Sequence, residues 1–349
     1  MRLILLISSL LLVCSTAHAN FLQKKDTALD SLNNINAKLA FTCAYEKIPA
    51  APADTDMLFQ YARWMQKNNQ LKQDKTVDAE IERLYRIAAA NLHYKANVNL
   101  QNGAARGQFN LSGEEVLRLS QQLIDAKVAT GYYLIATYLQ RGVAGLQRNQ
   151  EMALRYYRKA ADEGSPQAQE YVAKQLEPID IAPEVARQMR RCAANQGSGE
   201  AALALGTDLA IDGHYSEALD AYQSGTAAGN EIAASFLAKG FRGPKADDRL
   251  YYLAQHDDLE RAERYKKISD ILGDWSYANP TVPEINDIVP LPPAKLPAWD
   301  GKLKWVEERK ANVQPPKPTE ALIEQLAKAK LLDPKTGKPL PESPLYEKN

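Results

Sequence analysis

Apolar and small residues recur at helical spacing along most of the chain. In ALRYYRKAADEGSPQA (153–168), Ala153, Tyr156, Tyr157, Ala160 and Ala161 fall at i, i+3, i+4, i+7 and i+8. Arg155, Arg158, Lys159, Asp162 and Glu163 occupy the other side. That is one apolar stripe on a 3.6-residue helix. Gly164 can take the left-handed conformation that closes a helix, Ser165 is a good N-cap, and Pro166 fits the first turn of the next helix. The stretch predicts a helix, a tight corner and a second helix.

The corner recurs. AADEG ends at Gly164, AANQG ends at Gly197, and TAAGN places Gly229 a further 32 residues on. A fixed period of this size is the signature of a helical repeat array. Upstream, RLYRIAAANLHYKA (83–96) carries a tyrosine and alanines in the same order. TGYYLIATYLQRG and AALALGTDLAIDG precede two of the corners, and their small residues, Ala136, Ala202, Ala204 and Gly206, permit close helix approach. Tyr156, Tyr157 and Tyr222 read as packing residues between neighbouring helices.

The pattern resembles the Sel-one-like repeat, a relative of the tetratricopeptide repeat. That unit runs Ala-x-x-x-Leu-Gly-x-x-Tyr, then Gly-x-Gly, then Ala-x-x-Trp/Tyr-Tyr-x-Lys-Ala-Ala, then Gly. One copy here supplies Leu134, Tyr138, Gly142, Gly145, Ala153, Tyr156, Tyr157, Lys159, Ala160, Ala161 and Gly164. Another supplies Ala201, Leu205, Gly206, Gly213, Ala218, Tyr222, Ala227, Ala228 and Gly229, and a degenerate one between them keeps Ala168, Ala186, Ala193, Ala194 and Gly197. Ile135 stands where the pattern has glycine and Leu209 where it has tyrosine. The resemblance implies an all-α fold, an αα-hairpin solenoid of four to six helix pairs over residues 57–273.

The ends differ from the array. Residues 20–56 begin polar with helical spacing (TALDSLNNINAKLAF), turn at KIPAAPAD, and read as an N-terminal cap, because a repeat array needs an atypical terminal unit. After Gly273 the composition shifts: thirteen of the 19 prolines lie in 274–349. Each proline fixes φ and lacks a donor, so IVPLPPAKLPAWDGKLKW runs extended. With Trp299 and Trp305 it is too apolar for a free linker. It is expected to pack along the solenoid and close its C-terminal end, or to serve as a docking strip for a partner. TEALIEQLAKAKLL (319–332) reads as a short amphipathic helix.

Charge and targeting narrow the class. MRLILLISSLLLVCSTAHAN has a basic Arg2, an eleven-residue apolar run and an Ala17-His18-Ala19 cleavage site, the form of a signal peptide spanning 1–19. Cys14 leaves lipoprotein processing as the alternative, although Val13 precedes it where a small residue is preferred. No second long apolar run follows, so an exported chain without an integral membrane span is expected. Removing 1–19 takes Arg2 and no acid, leaving 42 basic against 43 acidic side chains. Such a balance does not suggest nucleic-acid binding. Cys43 and Cys192 then remain; in an oxidising compartment they can form a disulfide, the alternative being two separate buried thiols.

Candidate chemistry is sparse. His93, His214 and His256 remain after export, and none has metal-ligand spacing; no cofactor is expected. HExxH, GxSxG and GxxxxGK[ST] do not occur. A solenoid instead offers a long surface for a protein partner, with tyrosine and arginine as natural anchors. Tyr132, Tyr133, Arg141 and Arg148 are the candidates, each with a packing or solvated role as the alternative.

FTCAYEKIP, MLFQYARWMQ, RLYRIAAANLHYKAN, ASFLAKGFRGP and IVPLPPAKLPAWDG are together similar to a group of exported proteobacterial Sel-one-like proteins. Some of that group are immunity proteins to type VI secretion phospholipase effectors. The resemblance implies a periplasmic, non-enzymatic protein that binds and neutralises a secreted lipase toxin. A general periplasmic scaffold for envelope complexes is the second reading, and a hydrolase the third.

Overall fold

The computed structural model describes residues 39–177 and 182–346. The signal-peptide and Cys14 readings, and most of the helix expected at 27–41, lie outside them. The repeat region is twelve helices: α1 (Ala53–Asn69), α2 (Lys75–Ala90), α3 (Tyr94–Ala105), α4 (Gly113–Asp125), α5 (Thr130–Arg141), α6 (Gln150–Asp162), α7 (Pro166–Leu176), α8 (Pro183–Ala194), α9 (Gly199–Ile211), α10 (Tyr215–Ala227), α11 (Glu231–Gly240) and α12 (Leu259–Asp274). Each packs chiefly on its sequence neighbours, giving six hairpins in a solenoid, with no named strand among the described residues.

The three corners that set the period share one geometry. At the first, Gly164 N–H donates to Ala161 O (3.1 Å) and Ser165 N–H to Ala160 O (2.9 Å). Gly197–Ser198 and Gly229–Asn230 repeat the pattern, with all three glycines at positive φ. These paired bonds satisfy the last carbonyls of one helix. The next residue then caps the following helix: Ser165 accepts from Ala168 N–H, Ser198 from Ala201 and Asn230 from Ala233.

The alanines let the helices approach. Ala160, Ala161, Ala193, Ala201, Ala233 and Ala234 are fully buried. Tyr222 stacks on Phe236 (5.1 Å between ring centroids) and fills the space that Gly206 leaves, where a Cβ would sit 2.7 Å from the ring. Tyr157 is buried and stacks on Tyr171 (3.8 Å), while Tyr138 is buried and donates to Gln101 Oε1 (2.8 Å).

Both terminal segments run across the array. Residues 39–46 cross the ends of α5 to α8. Cys43 is bonded to Cys192 of α8 (S–S 2.00 Å). Arg158 donates to Ala40 O (2.6 Å) and Gln169 to Ala44 O (2.9 Å), and Gln196 accepts from Glu46 N–H (2.9 Å). The Glu46 carboxylate takes Thr130 N–H (2.5 Å) at the start of α5, an anion at a helix N-terminus. This stretch, part of the segment expected to form an N-terminal cap, lies over the middle of the array, where the side chains of Arg158 and Gln169 meet its backbone carbonyls.

The C-terminal segment carries a 3-10 turn (Ser276–Ala278), α13 (Ile285–Ile288), α14 (Lys304–Ala311) and α15 (Glu320–Lys328). Val282, Ile285, Val289, Leu303 and Val306 are buried in one core with α9 to α12. Here the carbonyls of the proline-rich run are met by side chains. Arg264 donates to Ile288 O and Pro297 O (2.9 and 2.7 Å), Arg261 to Ala294 O (2.8 Å) and Gln223 to Val289 O (2.9 Å). The chain then returns to the start of the array. Arg309 donates to Lys67 O (2.9 Å), and Ile323, Ala327 and Leu332 are buried with Leu58, Ile81 and Leu84 of α1 and α2. Gln70, just after α1, bonds the Tyr277 carbonyl just after α12, so the two ends of the array meet.

Candidate partner-binding surface

The residues picked out by sequence divide between packing and exposure. Tyr132 is half-buried, with its ring 6.2 Å from Tyr156 and Lys159 Nζ 5.8 Å above it. Tyr133 is half-buried against Tyr157 (5.7 Å). Their faces are thus engaged between α5 and α6. Arg141 and Arg148 stand exposed around the α5–α6 connection, without an ion pair among the described residues.

The histidines separate in the same way. His93 is buried, caps α3 by accepting Ala96 N–H at Nδ1 (3.0 Å), stacks on Phe59 (4.2 Å) and reaches Asp56 through Nε2 (3.2 Å). Burial outweighs Asp56 and holds its pKa below the usual 6.5. His214 and His256 are exposed. No group of three or more His, Cys, Asp or Glu side chains placed to hold a metal lies among the described residues.

Two polar features escaped the sequence. The first is a cleft of about 920 Å³ where the two ends of the array meet. α1 contributes Arg63 and Lys67, Arg106 follows α3, and the C-terminal segment contributes Tyr277 and Trp305. Asp78 on the cleft wall is fully engaged, accepting from Asn69 (2.9 Å) and Gln108 (2.8 Å) and pairing with Lys75 (3.2 Å). Gln66 accepts from Arg63 (2.9 Å) and from the buried Tyr85 hydroxyl (3.0 Å), whose pKa burial pushes up to about 12. Burial, and then the nearby charges of Arg63 and Arg309, hold the Lys67 ammonium below its ordinary range.

The second is a charged network between α7, α8 and α9. Arg190 is 4 % exposed and pairs with Glu177 (2.9 Å) and Asp208. Glu170 beside it has a carboxyl oxygen with no hydrogen-bond partner, and burial pushes its pKa up. Neither feature has a local sequence signature. Each joins residues from helices that are distant or only loosely spaced in the chain. Position 63 and position 67 do share one helix face at i, i+4 spacing, without an acidic neighbour there; that was the one readable hint.

Solved structures give this architecture a context. The chain is similar to the immunity protein PA5088 from Pseudomonas aeruginosa, at 25% identity and a TM-score of 0.56, over 72% of this chain and 94% of that one. It is similar to the immunity protein PA5087 from Pseudomonas aeruginosa at 25% identity and TM-score 0.52, over 73% and 95% of the two chains. Pseudomonas aeruginosa PA5086 aligns at 25% identity and TM-score 0.54, over 72% and 95%. The helical architecture is thus similar to that of two Pseudomonas immunity proteins. Residues 233–340 also match a domain family of unknown function, DUF6396. That match begins in α11 and ends beyond α15, so it takes in the last hairpin and the segment that returns to the array's start. No curated protein matches the chain. No helix among the described residues is long and apolar enough to cross a membrane.

Proposed function

We propose that this protein is an exported immunity protein that binds a phospholipase effector delivered by type VI secretion and blocks it in the periplasm. The likeness to PA5088 across 94% of that immunity protein carries the reading. The bond between Cys43 and Cys192 supports export, since disulfides persist in oxidising compartments. A solenoid fits the task, because a rigid array presents a large surface to one partner and needs no chemistry of its own.

The test is neutralisation. A type VI lipase effector from the same genome, directed to the periplasm of a sensitive host, should stop growth. Co-expression of this protein with its leader should restore growth, and the two should co-purify at one-to-one stoichiometry. Growth arrest that persists despite abundant, folded protein would sink the reading. Recovery of several envelope proteins and no effector would favour a general scaffold.

A further inference from the structure

The polar cleft at the meeting of the two ends of the array carries more charge than the structure uses. Four cations, Arg63, Lys67, Lys75 and Arg106, line it against one carboxylate, Asp78. In a chain with 43 basic and 43 acidic side chains, that is a local concentration of one sign. Asp78 is already engaged by Asn69, Gln108 and Lys75. Arg63, Lys67 and Arg106 make no ion-pair contact with a carboxylate among the described residues; Glu308, outside the lining, acts on Lys67 from a distance and more weakly than Arg63 and Arg309. Like charges gathered in a recess repel one another, and a bound anion relieves that repulsion.

The rest of the lining narrows the anion. Gln70, Gln73, Asn99 and Asn102 offer amide groups around the cations. Tyr277, 40 % exposed, and Trp305 add aromatic surface. Arginine, tyrosine and tryptophan around a recess form the composition of a protein–protein hot spot, whereas a bare inorganic anion would gain nothing from the rings. About 920 Å³ lies at the upper end of the range for ligand pockets, room enough for several residues of peptide.

We propose that this cleft receives an acidic, carboxylate-rich segment of the protein partner. This rests on the immunity reading for the partner's identity, while the cleft's preference for an acidic peptide can be measured without it. Because α1 and α3 form one wall and residues 277–279 and Trp305 the other, the bound segment would also clamp the two ends of the array together.

The experiment uses the mature, disulfide-bonded protein and fluorescein-labelled octaglutamate, followed by fluorescence anisotropy at low and physiological salt. Octaglutamate should bind and octalysine should not, with affinity falling as salt rises. Arg63→Glu/Lys67→Glu should weaken binding by at least about tenfold, equivalent to about 1.4 kcal/mol. Arg141→Glu/Arg148→Glu makes the same charge change outside the cleft and should leave binding within about twofold. Equal losses in both variants, or displacement of the peptide by pyrophosphate at comparable charge concentration, would overturn the proposal. Lys67→Gln, a single neutral change that leaves the Arg63–Gln66 contact in place, serves if the double variant misfolds: it should still reduce affinity and the salt slope. With the effector in hand, unchanged binding by Arg63→Glu/Lys67→Glu would sink the cleft proposal and leave the immunity reading standing. Failure of the wild type to bind any such effector would sink the reading, and the octaglutamate result would then decide the cleft alone.

Discussion

The two terminal segments do similar work by opposite means. The N-terminal one, residues 39–46, is short; it is held by one covalent bond and by side chains that reach its backbone, and only Leu39 and Phe41 lean on the apolar core beneath it. The C-terminal one is long and anchored by buried aliphatic residues at both ends of the array. The first ties together four adjacent helices, and the second joins helices that are remote in sequence. A repeat array is stabilised between neighbours only. These segments supply the long-range contacts that neighbour packing cannot, and the C-terminal one brings the ends of the array together at the cleft.

The apolar anchors should matter most. Leu303 and Ile323 are each 1 % exposed, one in the core at the array's end and the other in the core at its start. Leu303→Ala or Ile323→Ala should cost about 2–5 kcal/mol in urea denaturation. If the C-terminal segment acts as one strap, Ile323→Ala should also raise amide exchange around Asn312, which pairs with Asn68 on α1. Exchange confined to α1 and α2 would show two separate patches instead.

Breaking the other strap tests the contrast directly. Cys43→Ser/Cys192→Ser should cost about 2–4 kcal/mol, mostly through the freed unfolded chain. The increase in amide exchange should fall on α5 to α8 and leave α1, α2 and α15 as protected as before. Loosening that spread to both ends of the array would mean that the straps are coupled rather than parallel.

A smaller effect separates a glycine that only turns the chain from one that also seats a strap. Gly197 has positive φ and open space where a Cβ would stand, so Gly197→Ala should cost about 1–2 kcal/mol from backbone alone. Gly164 has positive φ and the backbone of Tyr45 and Glu46 within 2.6 Å of that position. Gly164→Ala should cost roughly 1 kcal/mol more, and the excess should vanish when the disulfide is already removed. An excess that persisted would place its origin in the corner and not in the strap.

Those glycines also show what the sequence could and could not disclose. Period, corner chemistry and alanine pairs are local, so the hairpins and their caps were readable from spacing; of Tyr156, Tyr157 and Tyr222, read as packing residues, the last two are buried. The cysteine pair was readable as a pair, but the path between its members was not. Nothing local says that residues 39–46 cross the middle of the array, because their partners Arg158, Gln169 and Gln196 also read as ordinary surface side chains of a helix. The cleft was hidden for the same reason. Arg63 and Lys67 meet Tyr277 only once the array has closed, and closure depends on the accumulated rotation of six hairpins, which no single corner encodes. Tyr132 and Tyr133 read equally as anchors and as packing residues, because exposure cannot be told from packing by residue type alone.

The smallest expected effect concerns pH, and it distinguishes the start of the array from its middle. His93 stacks on Phe59, a member of the core that α15 also joins, and its pKa is held below the usual 6.5, chiefly by burial. The native state therefore binds fewer protons here than the unfolded chain once pH falls under 6.5. Its contribution to stability is complete above that value and is lost as pH drops through the lower folded value. Protonation would also remove the Nδ1 lone pair that caps α3 at Ala96. Glu170, beneath the N-terminal strap's helices, has the opposite sign. Its pKa is raised above the usual 4.5, chiefly by burial, so its stabilising contribution is present below 4.5 and is lost as pH rises through the folded value. His93→Asn keeps a capping oxygen but loses the stack on Phe59, so it should cost about 0.5–1.5 kcal/mol at pH 8. Between pH 5 and 7 its urea midpoint should fall less with acidification than the wild type's. Glu170→Gln should leave that acid-side loss intact and remove the loss on the alkaline side of 4.5. If both variants kept the wild-type pH profile, neither buried group would govern it, and the two regions would differ in their fastenings alone.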